Sequence, residues 1–275
     1  MIQFEHTVFA LPFALAGAVL AQKGVPSPQK LGWILLAMVG ARSAAMTFNR
    51  LVDQPYDARN PRTSGRPLVT GALTRRFAWL FLSVASLLFV FSAARLNRLA
   101  FSLSFPVLAM ILLYSYAKRF TWGSHLLLGA SLGCAPLGAW IAVRGDIQAA
   151  PLLLGLAVLL WTAGFDIIYA CQDVEFDRRV GLHSIPGRWG IRRALWLSRF
   201  AHFAMVVTLL RVGSLVHLGI IYHFGVLVTA ALLAYEHTLV KPNDLSRVNR
   251  AFFIVNGYVS IFFFVTILAD FRWSR

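Results

Sequence analysis

With 275 residues, 58% of them hydrophobic and only 13% charged, and a mean hydropathy of +0.67, the chain is too greasy for a soluble globular protein, since soluble domains carry about 25% charged residues. Its length divides instead into membrane spans of about 20 residues each. The net charge of +15 would suit a nucleic-acid binder, but the basic residues fall in short loops and form no domain, so no nucleic-acid partner is expected.

Nine apolar runs can be placed in chain order, at 7–22, 31–48, 77–95, 99–116, 124–143, 150–170, 193–211, 216–235 and 252–271. Read as transmembrane helices, they make residues 1–275 one all-α polytopic membrane domain. The expected architecture is nine helices around a central apolar cavity, with a polar cap on the cytoplasmic side. The first run follows a short start containing Glu5 and His6 and no basic stretch, so it is read as a retained span, with Glu5-His6 either a substrate contact or an interfacial anchor. The second run leads into the most polar stretch of the chain, Asn49 to Gly71. There Asn49, Asp53 and Asp57 stand at i, i+4 and i+8, so a helix continued from the apolar run stacks them on one face. Arg42 lies inside the same span, two turns earlier. The fourth run ends in Lys118-Arg119. The sixth contains Asp166 and is followed by Asp173 and Asp177, at i+7 and i+11, a second acidic ladder.

Other polar residues in the spans read more plainly. Cys134 and Cys171 have no ligand-like spacing and are expected to pack. His125, His202, His217 and His223 share no spacing and are read as packing or interfacial residues, and Phe262-Phe263-Phe264 as core or lipid-facing.

Loops 49–76, 117–123, 171–193 and 236–251 share one side with the N-terminus and hold 16 basic residues, against 8 on the other. By the positive-inside rule the N-terminus and both ladders face the cytoplasm and the C-terminus lies outside, as in a multi-pass protein of the inner (plasma) membrane. Asp53, Asp57 and Arg59 also align with Asp173, Asp177 and Arg179. Loops 49–76 and 171–193 thus suggest a four-helix unit used twice.

Acids at helical spacing with no base at i+4 repel one another unless a cation lies between them. Mg²⁺ is held by one or two carboxylates together with substrate phosphates and water, so two ions between two ladders would suit a diphosphate. Pairing of Asp57 with nearby arginines is the plainer alternative. Arg59, Arg62, Arg66, Lys118, Arg119, Arg178 and Arg179 cluster around the ladders, where phosphate contact and interfacial anchoring both call for cations. An ionisable residue inside a span, such as Asp166, marks a functional position by default.

Four linked motifs then carry a resemblance. Asn49-x3-Asp53-x3-Asp57, Asn60-Pro61-Arg62-Thr63-x2-Arg66-Pro67, Tyr114-Ser115-Tyr116-x-Lys118-Arg119 and Asp173-x3-Asp177-x3-Gly181-x2-Ser184-x-Pro186 resemble, in order and over nearly the whole chain, the UbiA superfamily of intramembrane prenyltransferases. The opening Phe4 to Phe13 is similar to its 4-hydroxybenzoate polyprenyltransferase-like branch, some members of which serve menaquinone synthesis. The resemblance implies transfer of a polyprenyl group from a polyprenyl diphosphate to an aromatic acid, 4-hydroxybenzoate or a hydroxynaphthoate, in ubiquinone or menaquinone biosynthesis, with Mg²⁺ as cofactor. It implies that Asn49, Asp53 and Asp57 hold one ion and Asp173 and Asp177 the other. Lys118 would neutralise the leaving group, and Arg62, Arg66, Tyr114, Tyr116, Arg119, Asp166 and Tyr169 would complete the substrate-binding set. A transporter of phosphorylated lipids is the rival class; the short outer loops, without a second polar site, disfavour it.

Overall fold

The computed structural model describes residues 7–273, and Glu5 and His6 lie outside them. Among the described residues the chain is helical, and its one extended contact is an isolated bridge between Lys241 and Asp244. The helices are α1 (Thr7–Gln22), α2 (Pro28–Asp57), α3 (Arg75–Leu96), α4 (Arg98–Leu113), α5 (Ala117–Phe120), α6 (Ser124–Arg144), α7 (Ala149–Ala170), α8 (Val174–Val180), α9 (Ile185–Trp189), α10 (Ile191–Leu215), α11 (Ile220–Leu239) and α12 (Asn256–Trp273). Among the described residues, eight helical segments are long and apolar enough to cross a membrane, against the nine runs expected; the described part of the first run is a shorter helix of 16 residues.

Local sequence explains the boundaries. Pro28 begins α2 behind the Ser27 cap, where its missing N–H costs nothing. Asn97 separates α3 from α4: its Oδ1 accepts from Ala100 N at 2.9 Å and its Nδ2 donates to Ile141 O at 2.7 Å. That places the α3–α4 corner on the end of α6. Tight crossings use small residues, as expected where lipid supplies no hydrophobic drive between helices. On α6 and α7, a Cβ at Gly133 would stand 2.5 Å from Gly155 O, so neither helix could approach as it does with a larger residue there.

The central core joins α1, α7, α10, α11 and α12 around Phe13, Trp161, Met205, Tyr222 and Phe263. Outward faces carry Leu80, Leu87, Phe91, Phe200, Phe203 and Leu227, all exposed. Such a surface fits only an apolar solvent.

Two features depart from the sequence reading. Glu236, assigned to a loop, lies in α11, which runs on to Leu239, and it is fully buried. A π-helical turn at Arg250–Val255 precedes α12. The two are joined. Trp161 Nε1 can only donate, which fixes Asn256 Oδ1 as its acceptor at 2.6 Å and turns Asn256 Nδ2 toward Glu236 Oε1 at 2.8 Å and Ala251 O at 3.2 Å. His202 lies beside them, 3.1 Å from His237 and 3.7 Å from Glu236.

Candidate active site

At about 1.5 Å per residue, α2 is roughly 45 Å long and exceeds a hydrocarbon layer of about 30 Å. Its last turns, Asn49 to Asp57, therefore reach a polar layer while remaining helical. Asn49 Nδ2 donates to Asp53 Oδ2 at 2.8 Å, one turn on, as the spacing predicts. Pro55 lacks the N–H that would bond Leu51 O and so loosens this end of the helix. The next carbonyl, Val52 O, accepts from Arg119 Nη2 at 2.8 Å. The Arg119 guanidinium sits 5.0 Å from the ring centres of both Tyr56 and Tyr116, and 3.7 Å from Asp53.

Beyond α2 the chain folds back over its own end. Asn60 Oδ1 accepts from Arg62 N at 3.0 Å, and Thr63 Oγ1 donates to Asp57 O at 3.1 Å. Arg66 Nη1 holds both carboxylate oxygens of Asp57 at 2.5 Å. Gln54 Nε2 donates to Leu68 O at 2.7 Å, closing the segment.

The second ladder is not the single α-helical face that its spacing suggested. A 3-10 turn at Cys171–Asp173 separates α7 from α8, and its tighter winding rotates Asp173 and Asp177 away from the line of Asp166. Asp166 instead meets His125 Nδ1 at 2.6 Å. His125 Nε2 accepts from Ile185 N at 3.3 Å, so the proton lies on Nδ1 and points to the carboxylate. Gly181 ends α8 at φ 74°, a conformation that suits glycine, and Leu182 N then reaches Asp177 O at 2.8 Å. His183 N donates to Lys118 O at 2.6 Å, which ties this loop to α5.

Arg62 joins the two motifs across 111 residues. Its Nε and Nη2 donate to Asp173 Oδ1 and Oδ2 at 3.2 and 2.6 Å, and its Nη1 donates to Tyr169 Oη at 2.9 Å. Burial opposes the charge on Arg62, but the hydrogen bond and charge of Asp173 carry its pKa net above the ordinary arginine value. Lys118 lies within the field of Asp177, Asp166, Asp173 and Asp53, acids from both ladders. Tyr114 stands at the same junction, within the field of Asp166, Asp53, Arg50 and Arg42. Tyr169 packs on Phe252 with ring centres 4.2 Å apart.

Tyr116 is placed differently. It lines a recess of about 230 Å³ with Leu51, Val52, Pro55, Arg75, Trp79 and Arg119, so it faces the side of α2 rather than the junction. The acids have no base at i+4 of their own helices, but arginines from outside those helices reach them: Arg66 pairs with Asp57, the plainer alternative that the sequence offered, and Arg62 and Arg119 reach Asp173 and Asp53. Spacing within one helix could not reveal the last two partners, which are far away in the chain. His125 was missed because a lone histidine in an apolar run ordinarily packs.

Among the described residues, no three His, Cys, Asp or Glu side chains converge closely enough to hold an ion by themselves. A Mg²⁺ site shared with a diphosphate does not require that, since one or two carboxylates suffice. The donor set fits such a site. Asp177 is 2% exposed, and its Oδ2 is buried with no hydrogen-bond partner; Asp53 and Asn49 supply further hard oxygens.

Known proteins share both the sequence and the fold. A 4-hydroxybenzoate octaprenyltransferase from Pseudomonas aeruginosa (strain UCBPP-PA14) is 31% identical over 252 residues, 92% of this chain and 84% of that protein. The apo structure of a UbiA homolog from Aeropyrum pernix K1 is 36% identical and superposes with a TM-score of 0.89 over 98% of this chain and 99% of that one. A UbiA homolog from Archaeoglobus fulgidus bound to DMAPP and Mg²⁺ shares the fold at 22% identity, with a TM-score of 0.72 over 98% of each chain. The profile of the UbiA prenyltransferase family matches residues 10–264, and the chain belongs to that family.

Proposed function

We propose that this prenyltransferase moves a polyprenyl group from an allylic polyprenyl diphosphate to the ring of an aromatic acid, 4-hydroxybenzoate, for quinone biosynthesis. One observation carries the reading: Arg62, from the segment after the first acidic motif, pairs with Asp173 of the second, which brings the two motifs to a single charged site at one end of an apolar bundle. The name of the P. aeruginosa relative supports the acceptor, and the ligands of the A. fulgidus homolog support the donor and the ion. We read α1 as a ninth span and the motif loops as a polar cap over an apolar cavity. The N-terminus and cap face the cytoplasm and the C-terminus lies outside, in the inner membrane.

Asn49, Asp53 and Asp57 on one side and Asp173 and Asp177 on the other would hold Mg²⁺, which when bound neutralises charge developing on the leaving diphosphate. The chain's own cations share that task. Arg62 and Arg66, now paired with aspartates, have the forked geometry that a diphosphate requires, and Lys118 adds a point charge. Negative charge grows on the diphosphate as the allylic C–O bond opens, so these contacts strengthen toward the transition state. The allylic cation left behind must be kept from water. Tyr169, whose ring centre lies 5.3 Å from the Arg62 guanidinium, leads into a run of packed rings, Phe252, Phe165 and Phe9, whose faces would stabilise a cation. Arg42, whose buried Nε has no partner, is the cation we assign to the acceptor carboxylate. The acceptor ring attacks and then loses its proton to a base.

The test is incubation of purified protein with geranyl diphosphate, Mg²⁺ and a panel of aromatic acids, followed by mass detection. Prenylated 4-hydroxybenzoate supports the reading, and product from a hydroxynaphthoate alone reassigns the acceptor. Donor carried unaltered across vesicles, with no product, would replace transfer by transport.

A further inference from the structure

Two sets of arginines near the acidic motifs differ in their partners. Arg62, Arg66 and Arg119 each lie within 4 Å of an aspartate. Arg178, Arg179, Arg188, Arg192 and Arg193 are exposed, and among the described residues none forms an ion pair with a carboxylate. The five lie within 16 residues, on α8, α9 and the first turn of α10. No acid lies between Arg178 and Arg193.

The fold concentrates these charges. Arg178 Nε donates to Gly187 O at 3.0 Å, which draws α8 against α9. The Arg188 guanidinium lies 5.0 Å from the centre of the Trp122 ring, and Trp122 and Trp189 are 6.2 Å apart. Both tryptophans are partly open, at 38% and 43% exposure. Down the outer face of α10, exposed Arg192 and Arg193 are followed at helical spacing by exposed Trp196, Phe200 and Phe203. This series runs from charged to amphipathic to apolar, as a helix does on passing from headgroups into hydrocarbon. The arginines therefore stand at headgroup depth, next to indole rings that prefer that layer. Five unpaired like charges there repel one another until an anion comes between them.

We propose that Arg178, Arg188, Arg192 and Arg193, with Trp122 and Trp189, bind the phosphate-bearing headgroup of an anionic phospholipid. Basic clusters beside membrane helices attract anionic lipid in this way, and arginine's fork matches a phosphodiester. The bound lipid would also brace the second motif, because Arg178 follows Asp177 directly and α9 is tied to His125 through Ile185.

Native mass spectrometry of the protein in nonionic detergent, offered equal phosphatidylglycerol and phosphatidylcholine, tests the proposal. Wild type should retain phosphatidylglycerol preferentially, and R188Q/R192Q/R193Q should lose that preference by tenfold or more. R95Q/R98Q, at the other end of the bundle, should keep it. Equal retention of the two lipids by wild type overturns the proposal whether or not the variants fold. So does equal loss in both variants. Excess inorganic phosphate should leave the lipid bound; displacement by phosphate, or by pyrophosphate with Mg²⁺, would assign the patch to a soluble anion instead.

Discussion

Arg62→Ala separates catalysis from stability. The substitution removes both bonds to Asp173 and the one to Tyr169. The Arg62 side chain is 38% exposed and that of Asp173 12%, so solvent screens the pair, and exposed pairs of this kind contribute about 0.2–1 kcal/mol. Melting should fall by only about 2–4 °C for each kcal/mol lost in a chain of this size. Removal of a donor that strengthens as charge develops costs about 10²–10³ in rate. Turnover measured beside a melting curve in the same detergent should therefore show a large kinetic loss on a nearly intact fold. Arg62→Lys keeps the charge but loses the fork, and should fall between. Because the folded pKa of Arg62 is raised, its contribution is complete at every pH below the ordinary arginine value and is lost only above it. The deficit should thus be the same from mildly acidic to mildly alkaline buffer. Near-normal turnover in Arg62→Ala, or a loss that merely follows the fraction unfolded, would refute the reasoning.

Asp53→Ala, Asp57→Ala, Asp173→Ala and Asp177→Ala should each abolish most turnover without loss of membrane insertion, and EDTA should do the same to wild type until Mg²⁺ is restored; full activity in any two variants at saturating Mg²⁺ would remove the two-motif site. Lys118→Gln should lower the rate by about 10²–10³, whereas Lys241→Gln, in another loop of the same end, should change little; equal, small effects would make Lys118 an anchor only. His125→Ala leaves Asp166 and the Ile185 amide without their partner, at about 1–3 kcal/mol for the buried amide, and should lower both melting temperature and turnover, with His125→Asn recovering part. Unchanged values in the alanine variant would mean that water replaces the ring.

How much of this could be read from the chain depended on the distance over which each signal acts. Asn49, Asp53 and Asp57 were legible because helical spacing is local, and α2 does continue through all three. The same rule misread Asp166, Asp173 and Asp177, because nothing in Cys171-Gln172-Asp173 announces a 3-10 turn. Arg62 stood out from its motif as a candidate for phosphate contact, but its pairing with Asp173 exists only in the folded chain. Tyr116 shared a motif with Tyr114 and Lys118 yet turned to the flank of α2, since successive residues of one tight turn point in different directions. Glu236 was hidden by a boundary error of a few residues, which left an ionisable group in a supposed loop that the fold buries completely.

Asn256, Glu236 and Trp161 also bear on how the chain assembles. These groups come from α12, α11 and α7, and each finds its partner only after the others are in the bilayer. Until α12 docks, the Glu236 carboxyl has no Asn256 amide to receive, and α11 carries that unmet demand on its surface. The same side chain thus opposes the intermediate and supports the finished bundle. A leucine at this position should have opposite effects in two contexts. In the full chain, Glu236→Leu leaves Asn256 Nδ2 without its carboxylate partner and should lower the melting temperature. In a chain stopped after Asn249 it removes the unmet group, and pulse-chase should find the truncated protein longer-lived with leucine than with glutamate. The same direction of change in both chains would mean that Glu236 takes no part in ordering assembly. If the signs differ, the bundle carries its own check that α12 has arrived, built from an amide, an indole and a carboxyl.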